Sequence, residues 1–340
     1  MIEINMLSAN SGDCFHISIR DKALGNKNII VDSGIRVSAV QLERVISNIE
    51  KNGEVIDLLI VTHTDKDHIG GLKRLVDENR FKYNLVKEFW INDGEFSNVQ
   101  EDDLLTAQDG RNIIDKFQEK GVKIISNITT DFGKDFQSAI IRVLSPTIDD
   151  LELMKKEWKS EIDCDNLSAG SDEENGKDLD DLMIEDRFND DSNEYNNASI
   201  TFQILTKDSR GLFLADASSK TVLNGLKQSK FIEKGDVDFI KVPHHGSKMN
   251  ISKELLKTFK TENYILSTNG SRGKPHKLTI ARMLSESVKV NLFCNYCWWT
   301  NQNKFTMNDH KKYIQTGLLN RIALTSELEK IGQGVLIKND

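Results

Sequence analysis

The stretch from Asp57 to Gly71 constrains this chain more than any other. It opens on Leu58-Leu59-Ile60-Val61, a short apolar run of the kind a fully buried strand carries. Four residues with metal-ligating side chains follow within six positions: His63, Asp65, Asp67 and His68. Gly70 and Gly71 come next, and Leu72 to Val76 begins a helical pattern. A buried strand therefore runs into a ligand-rich loop, and the loop runs into a helix. Open α/β layers place their chemistry at such strand ends. Residues two apart in an extended segment face the same way, so His63 and Asp65 can converge on one ion. Asp67 and His68 lie where the chain turns and can face a second ion beside the first. Two adjacent divalent cations can hold a bridging hydroxide and polarise a phosphoryl or carbonyl oxygen. A solvated acidic loop with incidental histidines would leave the buried strand and the glycine pair unexplained.

The rest of the chain repeats this strand-to-loop pattern. Strands are predicted at 2–7, 14–19 and 29–31, with an amphipathic helix over 37–52. Further strands are predicted at 87–92, 122–125 and 139–144, with a helix over 104–120. Beyond residue 197, strands at 198–205, 212–215, 239–242, 264–267, 288–293 and 334–337 alternate with helices at 220–228, 251–259 and 280–286. Two halves of this kind stack into four layers of helix, sheet, sheet and helix. Of seven histidines, five lie in loops that follow a buried strand: His63, His68, His244, His245 and His276. Asp216 follows another. If the strands run the same way, these loops share one edge. Asp13 and Asp32, each beside a glycine or serine at a strand end, read as turn-shaping residues. His16, alone in a strand, reads as a hydrogen-bonded packing residue.

Charge is unevenly spread over the 340 residues. Residues 147–196 hold 18 acidic and 5 basic side chains, against 35 and 40 in the remainder. A nucleic-acid partner would be drawn to the body and repelled by this segment. Residues 147–159 have a helical pattern. Residues 163–197 hold little but charge, Ser, Asn and Gly, so a mobile insertion is expected that folds against nothing. Removing 163–193 should then leave the core folded and raise non-specific DNA affinity. The segment is also the candidate surface for a protein partner. Four cysteines, Cys14, Cys164, Cys294 and Cys297, make no disulfide framework and point to a reducing cytosol. Cys294 and Cys297 are a lone pair, without the second pair a zinc knuckle needs. No apolar run reaches membrane-spanning length, and the first residues lack a signal peptide's basic region and apolar core.

The stretch His63-Thr64-Asp65-Lys66-Asp67-His68-Ile69-Gly70-Gly71 resembles the histidine-rich signature of the metallo-β-lactamase superfamily, with Asp at its second position instead of His. Together with Val242-Pro243-His244-His245-Gly246-Ser247 and the later Pro275-His276, it is similar to the hydrolase domain of the competence protein ComEC. The similarity runs from about Met1 to Ile337, apart from the acidic insertion. It implies one αββα metallo-β-lactamase sandwich over residues 1–340 and two divalent ions, zinc or manganese. By this resemblance His63 and Asp65 bind the first metal, Asp67 and His68 the second, and Asp216 bridges both. His276 completes the second site, His245 completes the first or lies just outside it, and His244 contacts the substrate. Asp65 hardens the first site, which suits manganese or magnesium better than an all-imidazole set does.

This sequence departs from the family in three places. There is no histidine between His68 and His244, where the superfamily carries a third ligand motif. Ala215 replaces the glycine before the bridging aspartate, and Lys274-Pro275-His276 alters the usual Gly-His-Pro. Asn197 and Ser199 match an Asn-x-Ser of ComEC-like members, which makes Asn197 a candidate orienting residue. The implied activity is a cytosolic phosphodiesterase, a nuclease foremost, in which His244 serves as the acid and Asp65 and Asp67 serve the nucleophile. By analogy alone, its setting would be DNA uptake or phage defence. The alternatives are an esterase for small phosphodiesters or phosphocholine esters, and a non-catalytic, metal-stabilised sensor or adaptor.

Overall fold

Alternation along the strand Ile56–Val61 shows how this chain builds its layers. Leu58 and Ile60 point into one apolar core, while Leu59 and Val61 point into another. The side-chain period of a strand is two, so a strand apolar throughout must be covered on both faces. The computed structural model describes residues 1–23, 25–92, 105–157, 174, 176–300, 304–331 and 334–339.

Among these residues two eight-stranded sheets form. The first, in spatial order, joins Glu329–Ile331, Val335–Asn339, Ile2–Met6, Phe15–Ile19, Lys27–Val31, Ile56–Val61, Glu88–Ile91 and Lys123–Ile125. The second joins Leu319–Ala323, Val290–Cys294, Asn263–Leu266, Phe239–Lys241, Arg210–Phe213, Thr201–Thr206, Ala139–Ser145 and Gly133–Asp135. Phe15, Leu58 and Ile60 of the first sheet share a core with Phe202, Phe213, Phe239 and Ile265 of the second. Helices Ala39–Lys51, Lys66–Asp77 and Leu105–Glu119 cover the outer face of the first sheet. Helices Ser219–Gln228, Lys253–Thr258 and Lys277–Glu286 cover that of the second. The expected helix, sheet, sheet, helix sandwich is what forms.

Parallel pairing gives the strands the common direction that a shared edge requires. Lys27–Val31, Ile56–Val61 and Glu88–Ile91 run parallel in the first sheet, as do Arg210–Phe213, Phe239–Lys241 and Asn263–Leu266 in the second. The glycine pair of the signature has a packing reason. A Cβ on Gly71 would lie 2.2 Å from the Ser33 carbonyl oxygen, so the helix Lys66–Asp77 can press on the Ser33 turn only without that side chain.

The acidic segment corrects an expectation drawn from composition. Ile148–Glu157 is helical as predicted, and residues 158–173 and 175 lie outside the described residues. Residues 176–197 bury apolar area, contrary to the expected insertion that folds against nothing. Leu179 and Leu182, on the helix Leu179–Glu185, belong to the core under the second sheet. Asp186 pairs with the buried Arg282 at 2.8 Å, and Asp190 accepts from the Ser219 and Lys220 N–H groups at the start of the helix Ser219–Gln228. The charges of this stretch therefore serve as fixed partners for buried or orphan groups. Removing 163–193 would strip those partners, so the expected tolerance of that deletion does not follow.

Candidate metal centre

The predicted edge brings most of the predicted ligands together. His63 lies two residues beyond Val61, and Asp216 and His244 each lie three beyond the ends of their strands. Two groups of predicted ligand atoms, each within 4.8 Å of one another, share His68: His63 with His68 and Asp216, and Asp67 with His68 and His245; a third group sets His68 with Asp13 and Asp32. Asp216 is central, with Oδ1 3.4 Å from His68 Nε2 and Oδ2 3.7 and 4.0 Å from the Nε2 atoms of His244 and His245. His245 Nε2 is 3.3 Å from Asp67 Oδ2.

Hydrogen bonds on the far side of each ring set its orientation. His68 Nδ1 meets Asp32 Oδ2 at 2.8 Å, and His245 Nδ1 meets the Ser267 carbonyl at 3.0 Å. His244 Nδ1 meets Asn250 Oδ1 at 3.1 Å. Thr62 Oγ1 donates to Asp32 Oδ2 at 2.8 Å, so it accepts from His63 Nδ1 at 3.1 Å. Holding Nδ1–H in this way turns the Nε2 lone pair inward, as outer partners do for metal-bound histidines. The inward atoms then make no hydrogen bond: Nε2 of His63, His68 and His245 and Oδ1 of Asp216 are buried, with carboxylate–imidazole approaches of 3.3 to 3.6 Å around them. Unsatisfied buried polar atoms are costly, and four converging on one space fit a site built to be completed by cations.

The pairing differs from the one expected. His63 and His68 fall in the same group, because the helix starting at Lys66 swings His68 back under His63, with ring centroids 4.0 Å apart. Asp65 joins neither group; it precedes that helix, its side chain is 40% exposed, and its carboxylate lies 3.6 Å from His63 Nε2. His276 joins neither group either. Its Nδ1 accepts from the Lys248 N–H at 3.1 Å, and burial, offset in part by Glu174, lowers its pKa to about 4.

On an extended backbone the adjacent side chains of His244 and His245 would face opposite ways. The segment Pro243–Gly246 is instead a tight turn, with φ of 46° at His244 and 54° at His245. Both rings therefore reach Asp216. Ala215, with φ 43°, also takes a left-handed conformation, which glycine would adopt freely. Such strain of about 1–3 kcal/mol per residue gathers at functional sites.

Three residues of the site escaped the sequence reading. Their sequence context presents Asp13 and Asp32 as turn-shaping residues. Asp32 accepts from Thr62 N and Oγ1 as well as from His68. Asp13 pairs with the buried Lys241 and lies 3.5 Å from His245 Nδ1. Asp191, from the acidic segment, lies 3.4 Å from His244 Nδ1 and accepts from Asn250 and Asn196. Only Asp32 left a usable signal, since it ends a strand predicted in the same half as the signature. Asn197 acts indirectly, bridging the Asp191 carbonyl and the Ser218 N–H. His16 is hydrogen-bonded to Asn28, as expected of a packing residue. Cys294 is buried, with its thiol pushed up to about 12, Cys297 is exposed, and Cys164 lies outside the described residues.

Without cations the site is held by its own charges. Burial alone would lower the pKa of His245, but Asp13 and Asp216 reverse this and raise it to about 9. His68 is likewise raised, against burial, by Asp216 and Asp32. Burial would raise Asp13, yet Lys241 and His245 hold it at about 2. A histidine whose folded pKa lies above its unfolded value near 6.5 stabilises fully below that pH and loses the contribution as pH rises through about 9. The metal-stripped protein is therefore expected to lose thermal stability between pH 6.5 and about 9. Cation binding must displace these protons, so affinity should climb over the same range. Melting curves of stripped protein at pH 6 and pH 9.5 provide the check. Equal melting temperatures would mean that the imidazoles are not held protonated.

The fold and this ligand set define a metallo-β-lactamase-type sandwich with a candidate metal centre at its strand-end edge. Residues 19–149 match the family model described as Metallo-beta-lactamase superfamily. The superfamily typically binds divalent metals, and the His/Asp groups here are of that kind. No match is found among curated proteins. Solved structures with detectable similarity include a metallo-β-lactamase from Hirschia baltica (16% identity, 38% of this chain and 47% of that one, TM-score 0.21). Others are the E377D mutant of CmlA β-hydroxylase (12% identity, 75% and 44%, TM-score 0.36) and a diphosphatase of the PhnP family (9% identity, 94% and 86%, TM-score 0.36). The chain spans less than half the length of the first two. At such scores none of them says what this chain acts on. No helix among the described residues is long and apolar enough to cross a membrane.

Proposed function

We propose that this chain is a metal-dependent phosphodiesterase whose substrate is nucleic acid. The observation that carries this is the convergence of the buried Nε2 atoms of His63, His68 and His245, free of hydrogen bonds, with Asp216 Oδ1. Each imidazole has one inward lone pair and serves one ion, whereas the two oxygens of Asp216 face different histidines and can serve two. His63, His68 and Asp216 would hold one ion, and Asp67, His245 and Asp216 the other, with Asp65 at the open side of the first. Bound there, divalent ions supply Lewis acidity and a water that ionises near neutral pH. The carboxylates favour hard cations, manganese as well as zinc, and a phosphoryl oxygen is the matching hard substrate atom. The ComEC-like motifs, the mildly basic body and the cytosolic setting belong to the same proposal.

His244 supplies the remaining chemistry. Its ring is half-buried, its Nδ1 is held by Asn250, and its Nε2 is at the edge of the cluster beside Asp216. From there it can protonate or hydrogen-bond the leaving oxygen. His244→Ala is expected to keep its metal and lose turnover by roughly 10²–10⁴-fold. His245→Ala should lose metal instead. Elemental analysis after purification with manganese or zinc, paired with hydrolysis of bis(4-nitrophenyl) phosphate and of DNA, tests both points. Metal-loaded protein that cleaves neither substrate would end the proposal. If it cleaves the small diester alone, the small-substrate alternative replaces nucleic acid.

A further inference from the structure

Lys274 is 6% exposed, and among the described residues its ammonium has neither a hydrogen bond nor an ion pair. The side chain is enclosed along most of its length while the ammonium keeps solvent contact and meets no protein acceptor, so it can take an anion without breaking an existing pair. The other buried lysines nearby are all satisfied: Lys241 pairs with Asp13, Lys277 with Asp309, and Lys304 with two carbonyls. Those two carbonyls belong to Gly273 and Pro275, the residues on either side of Lys274. Lys304 thus clamps the backbone that carries Lys274.

The same backbone is seated on the histidine turn. His276 N–H donates to the Gly246 carbonyl at 3.0 Å, and Thr279 Oγ1 donates to that carbonyl at 2.9 Å. Gly246 has φ +86°, and a Cβ there would lie 2.5 Å from Pro275 Cβ, so only glycine lets Pro275 pack so closely. Lys274 is therefore fixed one residue from the strut that supports His244 and His245. Burial lowers the pKa of Lys274, and the carboxylates that act against this are Asp216, Asp67 and Asp191 of the candidate centre, none of which pairs with it.

We propose that Lys274 is the anion-binding residue of this centre and takes a non-bridging phosphoryl oxygen of the substrate. For the identity of that anion the proposal rests on the phosphodiesterase reading; the case for an anion stands on an enclosed lysine whose ammonium has no protein partner. A rigidly held lysine is a point charge suited to phosphate, and it would neutralise charge that builds on the phosphoryl oxygens. The altered motif Lys274-Pro275-His276 contains this lysine but gives it no role, because its enclosure and lack of a protein partner arise only from tertiary packing.

Inorganic phosphate is the probe. Titrated calorimetrically into manganese-loaded parent, K274M and K274R, phosphate should bind about 10- to 100-fold more weakly to K274M, and K274R should recover most of the loss. Metal content should be the same in all three. Phosphate affinity in K274M within twofold of the parent overturns the proposal. Should K274M fail to fold, carbamylation of the parent by cyanate replaces it: phosphate should protect Lys274, and equal modification with and without phosphate overturns the proposal. Hydrolysis of bis(4-nitrophenyl) phosphate is read in parallel. A parent that binds phosphate through Lys274 but cleaves no diester supports this site and sinks the phosphodiesterase reading. A parent that cleaves the diester with Lys274 irrelevant to phosphate does the reverse.

Discussion

Asp216→Asn should lower phosphodiester hydrolysis by about 10³-fold or more and reduce bound metal to substoichiometric levels. The size of the effect follows from position. Asp216 is 2% exposed and is the one carboxylate facing His68, His244 and His245 together. Burial would raise its pKa, but His68 and then His244 and His245 hold it well below the ordinary carboxylate range. It is therefore a permanent anion at the centre of a ring of imidazoles. Asparagine keeps the shape and removes the charge, so the two ions the site would hold lose their common ligand. The variant should also flatten the pH dependence of the stripped protein, because the histidines it leaves behind have less reason to stay protonated. Metal content and turnover measured on the same sample decide the matter. A variant with full metal occupancy and more than a tenth of parental activity would show that Asp216 is not the shared ligand.

The second large effect lies away from the chemistry. Asp186→Ala is expected to destabilise the fold by about 3–5 kcal/mol, the usual cost of stranding one member of a buried ion pair. Arg282 is 1% exposed. Its Nε and Nη2 both reach Asp186, at 3.0 and 2.8 Å, while its Nη1 donates to the Lys248 and Ile251 carbonyls. Water cannot replace the lost carboxylate there. The urea midpoint is the measurement, with the slope checked for constancy. A loss under about 1 kcal/mol would mean that the acidic segment is anchored elsewhere and that its composition was the better guide. Removing residues 176–193 altogether should prevent folding, since Leu179 and Leu182 leave the core and the helix Ser219–Gln228 loses Asp190 at its start.

Local pattern was sufficient for the architecture. The apolar run Leu58–Val61, the alternation of the other strands and the spacing of the helices determine a sandwich of two sheets, because period and burial are properties of neighbouring residues. The strand-end position of His63, His68, Asp216, His244 and His245 was equally legible, since the common direction of parallel strands carries their loops to one edge. Tertiary structure alone decided which of those side chains meet. The turn at His244 and His245 bends both rings inward, the helix at Lys66 pairs His68 with His63, and Asp65 and His276 fall outside the two groups. It also decided that an acidic stretch is a set of buried partners. Asp186, Asp190 and Asp191 look like solvated charges in order of residues, and become structural because Arg282, a helix start with unpaired N–H groups and His244 arrive from 29 to 96 positions away. Composition carries no record of such distances, and electrostatic need is set by what each charge is buried against.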